Sequence, residues 1–181
     1  MVNIATVKEH TMDFAILAPS RAIETTLRDK IDGKTKPLGA LGRLETLALQ
    51  IGLIQQTASP QLARPQILLF AGDHGAVAES ISAFPQEVTW QMVHNFLSGG
   101  AAINVLARQA GMGVEVSDAG GNHDFPPEGG ARNCKIARGT ANYVREPAMS
   151  AVQLAQEIRI GAQLVRECAE QGTNVIGFGE M

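Results

Sequence analysis

Residues 65–75, PQILLFAGDHG, set the fold of this chain. Their centre, QILLFA at 66–71, is a short unbroken apolar run with Pro65 before it and Gly72 after it. A surface helix spaces its apolar residues three and four apart, and a half-exposed strand alternates them. An unbroken run of strand length fits a strand covered on both faces, the arrangement of parallel sheets. The residues after it, Gly72, Asp73, His74 and Gly75, are where a strand would hand over to a loop.

Downstream, the period changes to that of helices. A helix is expected from about Pro85 to Leu97 (PQEVTWQMVHNFL), ended by Ser98, Gly99 and Gly100. Another runs from Ala101 to Gln109 and stops at Gly111. GVEVS, Gly113 to Ser117, reads as a second strand. Residues 119–134 (AGGNHDFPPEGGARNC) are rich in Gly, Pro, Asn and Asp and read as a long loop, with a short strand expected at Lys135 to Ala137. Ser150 and Gln153 form a capping-box pattern, in which each side chain satisfies the other's free backbone amide. The helix they open is expected to reach about Glu170, with Val152, Ala155, Ile158, Ala162, Val165 and Ala169 on one face. Gly172 ends it, and TNVIGF, Thr173 to Phe178, reads as the next buried strand.

Upstream, the first 18 residues form a loosely patterned arm. Pro19 and Ser20 open a helix to about Lys30, and GKTKP at 33–37 breaks it. A second helix is expected from about Gly39 to Gln55, with Leu41, Leu44, Leu47, Ala48, Ile51 and Ile54 as one buried stripe. Strands separated by helices imply right-handed crossovers in a parallel sheet. The fold class is therefore α/β: an open, Rossmann-like parallel sheet with flanking helices, plus an amino-terminal helical subdomain. The expected division is an arm at 1–18, a helical segment at 19–60 and a parallel α/β domain at 61–181.

Composition narrows the classes of function. The 181 residues are 45% hydrophobic and 18% charged, ordinary for a globular chain. Fifteen Lys and Arg against 18 Asp and Glu leave a net charge of −3, which gives nucleic acid no basic surface. No apolar run is long enough to cross a bilayer, and the start has no basic segment followed by an apolar one. The two cysteines, Cys134 and Cys168, lack metal-ligand spacing and suit free thiols in a reducing cytoplasm.

In an open parallel sheet, ligands bind beyond the carboxyl ends of the strands. Each expected strand here exits into glycine and an acid: Gly72 and Asp73, Asp118 and Gly120, Gly179 and Glu180. Glycine admits a ligand close to the backbone, and a carboxylate accepts a proton or holds a hydroxyl or ring nitrogen. The alternative for Asp118 is a turn or cap residue. His74 is either a structural histidine or, being in a loop after a strand, a functional one. Trp90, Met92 and Phe96 suit a core, and His94 suits packing or surface. No G-x-G-x-x-G follows any strand, which argues against a dinucleotide-binding oxidoreductase.

Four segments carry a resemblance to a known family. KTKPLGALGRLE (34–45), FAGDHGAVAESISAFPQEVTWQMVHNFLSGGAAINVLARQAG (70–111), IARGTANYVREPAMS (136–150) and NVIGFGEM (174–181) resemble, in order and spacing, the nicotinate-nucleotide:dimethylbenzimidazole phosphoribosyltransferases. That resemblance implies transfer of phosphoribose from nicotinate mononucleotide to a ring nitrogen of 5,6-dimethylbenzimidazole. The products are α-ribazole 5′-phosphate, with inversion at the anomeric carbon, and nicotinate. It implies no metal, no redox cofactor and a cytoplasmic homodimer. It places the benzimidazole pocket on AESISAFPQEVTWQMV, making Ser82, Phe84, Pro85, Gln91 and Met92 candidate substrate contacts together with Asp73, His74, Asp118 and Gly179.

Glu180 matches the glutamate of the family's GEMGIGN-type loop and is the candidate catalytic residue. At Phe84 and Met92, where some members are polar, this chain is apolar. Members run to about twice this length, so the phosphate-binding loop and the general-base glutamate are expected beyond Met181, and these residues alone are expected to be inactive. The competing reading is a benzimidazole-binding module without chemistry.

Overall fold

A computed structural model of the chain describes residues 14–181. The amino-terminal arm falls mostly outside them, and residues 14–20 are exposed and without regular structure. The described chain forms two compact units, one up to Leu62 and one from Ala63 to Met181.

The first unit holds helices α1 (Glu24–Asp32) and α2 (Arg43–Gln55). Helix α1 starts later than its Pro-Ser signal suggests, because the Ser20 hydroxyl accepts the Ala22 amide at 3.3 Å and turns the chain first. Gly39 and Gly42, both at positive φ, delay α2 in the same way. Leu27 of α1 is buried, and a β-carbon on Gly52 of α2 would lie 2.4 Å from its Cδ2, so glycine lets the two helices meet closely. The expected buried stripe of α2 is corrected by this contact. Gly52 and Leu53 are the buried residues of α2, whereas Leu44 is 63% and Ile54 59% exposed.

The second unit is a four-stranded, wholly parallel sheet in the order β3-β2-β1-β4. Its strands are β1 (Gln66–Gly72), β2 (Gly113–Gly120), β3 (Arg132–Asn133) and β4 (Ile176–Glu180). The α/β class and the open parallel sheet read from the sequence are those observed. Helices α3 (Glu87–Leu97) and α4 (Ala102–Gln109) connect β1 to β2, and α5 (Ala151–Glu170) leads to β4. Alternation along β1 separates two cores. Leu69 and Ala71 pack with Val93, Phe96, Ala101 and Val116 on the α3 side. Leu68 packs with Cys134, Leu164 and Cys168 on the α5 side.

Three boundaries differ from the sequence reading. Strand β2 continues to Gly120, so Asp118 belongs to the strand and not to the loop. The short strand is Arg132–Asn133, not Lys135 to Ala137: the Asn133 Oδ1 accepts the Lys135 amide at 3.1 Å, and the Lys135 ammonium is drawn to Asp118. Strand β4 lies later than Thr173, because the Thr173 amide donates to Cys168 O and the Asn174 amide to Ala63 O before pairing begins. Gln66 then aligns with Ile176, and Phe70 with Glu180.

The buried face of α5 is also not the one expected. Ala155, Leu164 and Cys168 are buried and Ile160 packs on the sheet, while Val152 is 57% and Val165 38% exposed. The inward stripe is Gln153, Glu157, Ile160, Leu164 and Cys168, polar in its first two turns. A search for apolar periodicity passes over such a stripe.

Candidate functional site

Strand β1 is the point at which the sheet order reverses. The connection through α3 and α4 goes to β2 on one side, and the later connection through α5 returns to β4 on the other. Chains leaving such a point on opposite faces open a crevice at the carboxyl ends of the strands. A cavity of about 520 Å³ lies there, within the usual range for small-molecule sites of roughly 300–1,000 Å³.

Its floor is the end of β1 through His74, with Ala119 and Gly120 of β2 and Glu180 and Met181 at the end of β4. Its cover is the segment from Ile136 to Ser150 and the first turns of α5, which present Gln153 and Glu157. The cover is pinned by a parallel bridge between His74 and Thr140, with the Gly75 amide donating to Thr140 O at 3.0 Å. Gly75 is required at this close approach: a β-carbon there would lie 2.6 Å from the Asn142 nitrogen and 2.7 Å from the Thr140 oxygen. Asn142 in turn donates to Glu79 at 2.6 Å, and Arg145 pairs with the same carboxylate at 3.2 Å.

Of the residues singled out from the sequence, Asp73, His74 and Glu180 line this cavity. Asp73 is buried and its Oδ2 accepts the Asn122 amide at 2.7 Å. The His74 Nδ1 lies 3.3 Å from the Thr140 hydroxyl. Glu180 is exposed at the end of β4. Gly179 precedes it in the strand, where a β-carbon would meet Leu69 Cδ1 at 2.8 Å.

Asp118 stands at the same sheet edge, opposite Ala71, but faces away from the cavity. Its carboxylate accepts the Gly120 and Gly121 amides at 3.2 and 2.8 Å and pairs with the Lys135 ammonium at 3.0 Å. Those contacts hold the loop that follows, and Asp118 lines a separate cavity of about 480 Å³ with Asp124, Arg132 and Lys135. Lys135 also bonds Asp124, which together with Arg138 keeps the Asp124 carboxyl below the usual carboxylate range.

The remaining candidates lie outside the cavity. Ser82, Phe84, Pro85 and Gln91 are exposed, and the Ser82 hydroxyl accepts the Phe84 amide at 3.2 Å. Met92 packs against the core. Their segment borders a smaller cavity of about 220 Å³, lined by Asp73, Gln86, Glu87, Trp90, Asn122 and His123. There the Trp90 and His123 rings stack with centroids 5.1 Å apart.

Sequence reasoning missed Thr140, Glu146, Gln153 and Glu157, all of which line the larger cavity. The available signal was an acid four residues after Gln153 in line with Ile160 and Leu164, a carboxyl placed where a helix buries its stripe. Burial pushes the Glu157 carboxyl above its ordinary pKa. The cavity thus combines an apolar surface with four carboxyl-bearing residues, Asp73, Glu146, Glu157 and Glu180, and its described lining carries no lysine or arginine.

Comparison with known proteins gives consistent findings. The model of a phosphoribosyltransferase family matches residues 16–181. The nicotinate-nucleotide–dimethylbenzimidazole phosphoribosyltransferase of Dechloromonas aromatica (strain RCB) is 59% identical over 168 residues, 93% of this chain and 48% of the relative. The protein of the same name from Aromatoleum aromaticum is 56% identical over 170 residues, 94% of this chain and 49% of the relative. Among solved structures, the nicotinate-nucleotide-dimethylbenzimidazole phosphoribosyltransferase of Thermus thermophilus superposes with a TM-score of 0.83 at 40% identity, covering 88% of this chain and 48% of that one. The chain spans about half the length of the curated relatives it matches.

Proposed function

This chain belongs to the phosphoribosyltransferase family whose model covers residues 16–181, and from that membership we propose that it forms part of an enzyme transferring phosphoribose from nicotinate mononucleotide to 5,6-dimethylbenzimidazole. A phosphoribosyltransferase acts on small molecules, and the cavity at the end of β1 has the size for one. In the proposed reaction a benzimidazole ring nitrogen bonds to the anomeric carbon as the bond from that carbon to the nicotinate nitrogen breaks. Inversion at carbon follows, and the acceptor nitrogen gives up its proton to a carboxylate. Glu180, at the cavity mouth, is the candidate to face the positive charge that builds on the sugar.

The observation that carries this reading is the position of Glu180. It ends β4 beside Phe70 of β1, at the point where the sheet order reverses and on the rim of the cavity. No described helix is long and apolar enough to cross a membrane. A homodimer working in the cytoplasm completes the proposal.

The test has two arms. Calorimetry of the chain with 5,6-dimethylbenzimidazole is expected to show binding, and its absence would remove the base-binding reading. Formation of α-ribazole 5′-phosphate by an enzyme of the relatives' full length carrying this segment is expected to fall about a hundredfold or more on Glu180→Gln. An unchanged rate would remove Glu180 from the chemistry. The 181 residues alone are expected to bind without turnover.

A further inference from the structure

We propose that the cavity of about 530 Å³ at the amino ends of β1 and β2 is a second small-molecule site. It takes a small apolar monocarboxylate and holds the carboxylate between the Arg108 guanidinium and the Gln66 side-chain amide. The site lies toward the opposite end of the strands from the larger cavity, shares no lining residue with it, and stands whether or not the reading above holds.

Three observations carry it. First, the cavity is of ligand size, and Phe96 and Leu97 of α3, Met112 and Val114 give it apolar walls.

Second, its polar side chains divide into engaged and open ones. Asn104 is buried, with its Oδ1 accepting the Ala101 amide at 3.2 Å and its Nδ2 donating to Phe96 O at 3.0 Å. Glu115 pairs with Arg132 at 3.2 Å. Arg108 has no acidic partner among the described residues: its Nη1 donates to Gly99 O at 2.9 Å, and the rest of the guanidinium fork is open. The Gln66 side-chain amide likewise has no partner among the described residues.

Third, both open groups are held in place by glycines. Gly99 is at positive φ, and a β-carbon there would lie 3.3 Å from Arg108 Nη1, so the turn and the guanidinium are fitted to each other. Gly113 leaves the space that the Gln66 amide fills: a β-carbon there would lie 2.8 Å from Nε2. A guanidinium without an acid, beside an amide donor and an apolar wall, matches a carboxylate on an apolar body. A phosphate dianion fits less well, since Glu115 puts a carboxylate in the same lining.

NMR titration of the 15N-labelled 181-residue chain with benzoate tests the proposal, with benzamide and inorganic phosphate beside it. Benzoate is expected to shift the amides of Gly99, Gly113 and Val114, with a dissociation constant of about a millimolar or below, ordinary for so small a ligand. Benzamide lacks the charge and phosphate lacks the ring, and each is expected to bind at least about tenfold more weakly. Arg108→Gln is expected to weaken benzoate about tenfold or more, the size of hydrogen bonds to a charged group, and to leave benzamide unchanged. Arg108→Lys, which restores the charge but not the fork, is expected to fall between. A purely structural role for Arg108 would move both probes alike. Equal benzoate affinity in wild type and Arg108→Gln overturns the proposal. So does benzoate that shifts Ala119 and Thr140 of the larger cavity in place of Gly99 and Gly113, or that shifts nothing. Should the glutamine variant fail to fold, the wild type decides: benzamide or phosphate binding as tightly as benzoate overturns the proposal.

Discussion

At the scale of single residues, the site depends on one close approach. Gly75 lets the cover come within bonding distance of the loop after β1, and three backbone atoms of residues 140–142 stand where a β-carbon would go. Backbone cannot rotate away as a side chain can. Gly75→Ala is therefore expected to destabilise the fold by about 1–3 kcal/mol and to weaken binding of 5,6-dimethylbenzimidazole, measured by urea unfolding and calorimetry. Glu157 makes the opposite prediction for stability. Its folded-state pKa is raised by burial, so its cost is absent at low pH, where the carboxyl is protonated in both states, and grows as pH rises past the ordinary carboxylate value. Glu157→Gln is expected to raise Tm by on the order of a degree or two at about pH 7 and by nothing at about pH 3.5, read from thermal scans across that range. Asp73 and Glu180, both of which line the cavity, drew notice in the sequence because each stands at the carboxyl end of an expected strand. Glu157 was hidden, since a lone acid in a helix reads as surface until the helix is docked.

At the scale of elements, β1 and the start of α5 were the clearest signals. Leu68, Leu69 and Ala71 of QILLFA are buried, Leu68 fully, while Gln66, Ile67 and Phe70 are partly covered. The Ser150 and Gln153 box is present on both sides: the Gln153 amide donates to the Ser150 hydroxyl at 3.2 Å, and the Ser150 amide to the Gln153 Oε1 at 2.8 Å. This cap also sets the height of Gln153 and Glu157 over the cavity. Ser150→Ala is expected to cost about 1 kcal/mol in chemical denaturation, with Gln153 left holding a weaker half of the box. The failures at this scale share a cause. The apolar stripes expected on α2 and α5 rank residues by hydrophobicity alone, whereas Gly52 and Glu157 face inward for reasons of fit and chemistry. The strand ends moved because backbone amides near Asn133 and Thr173 found partners first.

At the scale of the whole second unit, the order β3-β2-β1-β4 was not legible, although the parallel class was. Helix–strand alternation fixes handedness and layers, but nothing local tells β4 to join β1 on its free side. That choice is what creates the crevice, so a cavity at the strand ends followed from a general rule while its boundaries needed coordinates. The same order leaves β4 at an edge with Phe178 69% exposed, and in the first unit Leu38, Leu41 and Leu44 stand out on the helical segment.

The central place of β1 has a consequence for biosynthesis. Of the described strands it is the first to leave the ribosome, and it needs neighbours on both flanks. At roughly 5–20 residues per second, the nascent chain carries QILLFA uncovered for seconds until β4 is translated. During that interval a chaperone that grips extended apolar peptides has a handle on the very segment whose end later floors the cavity.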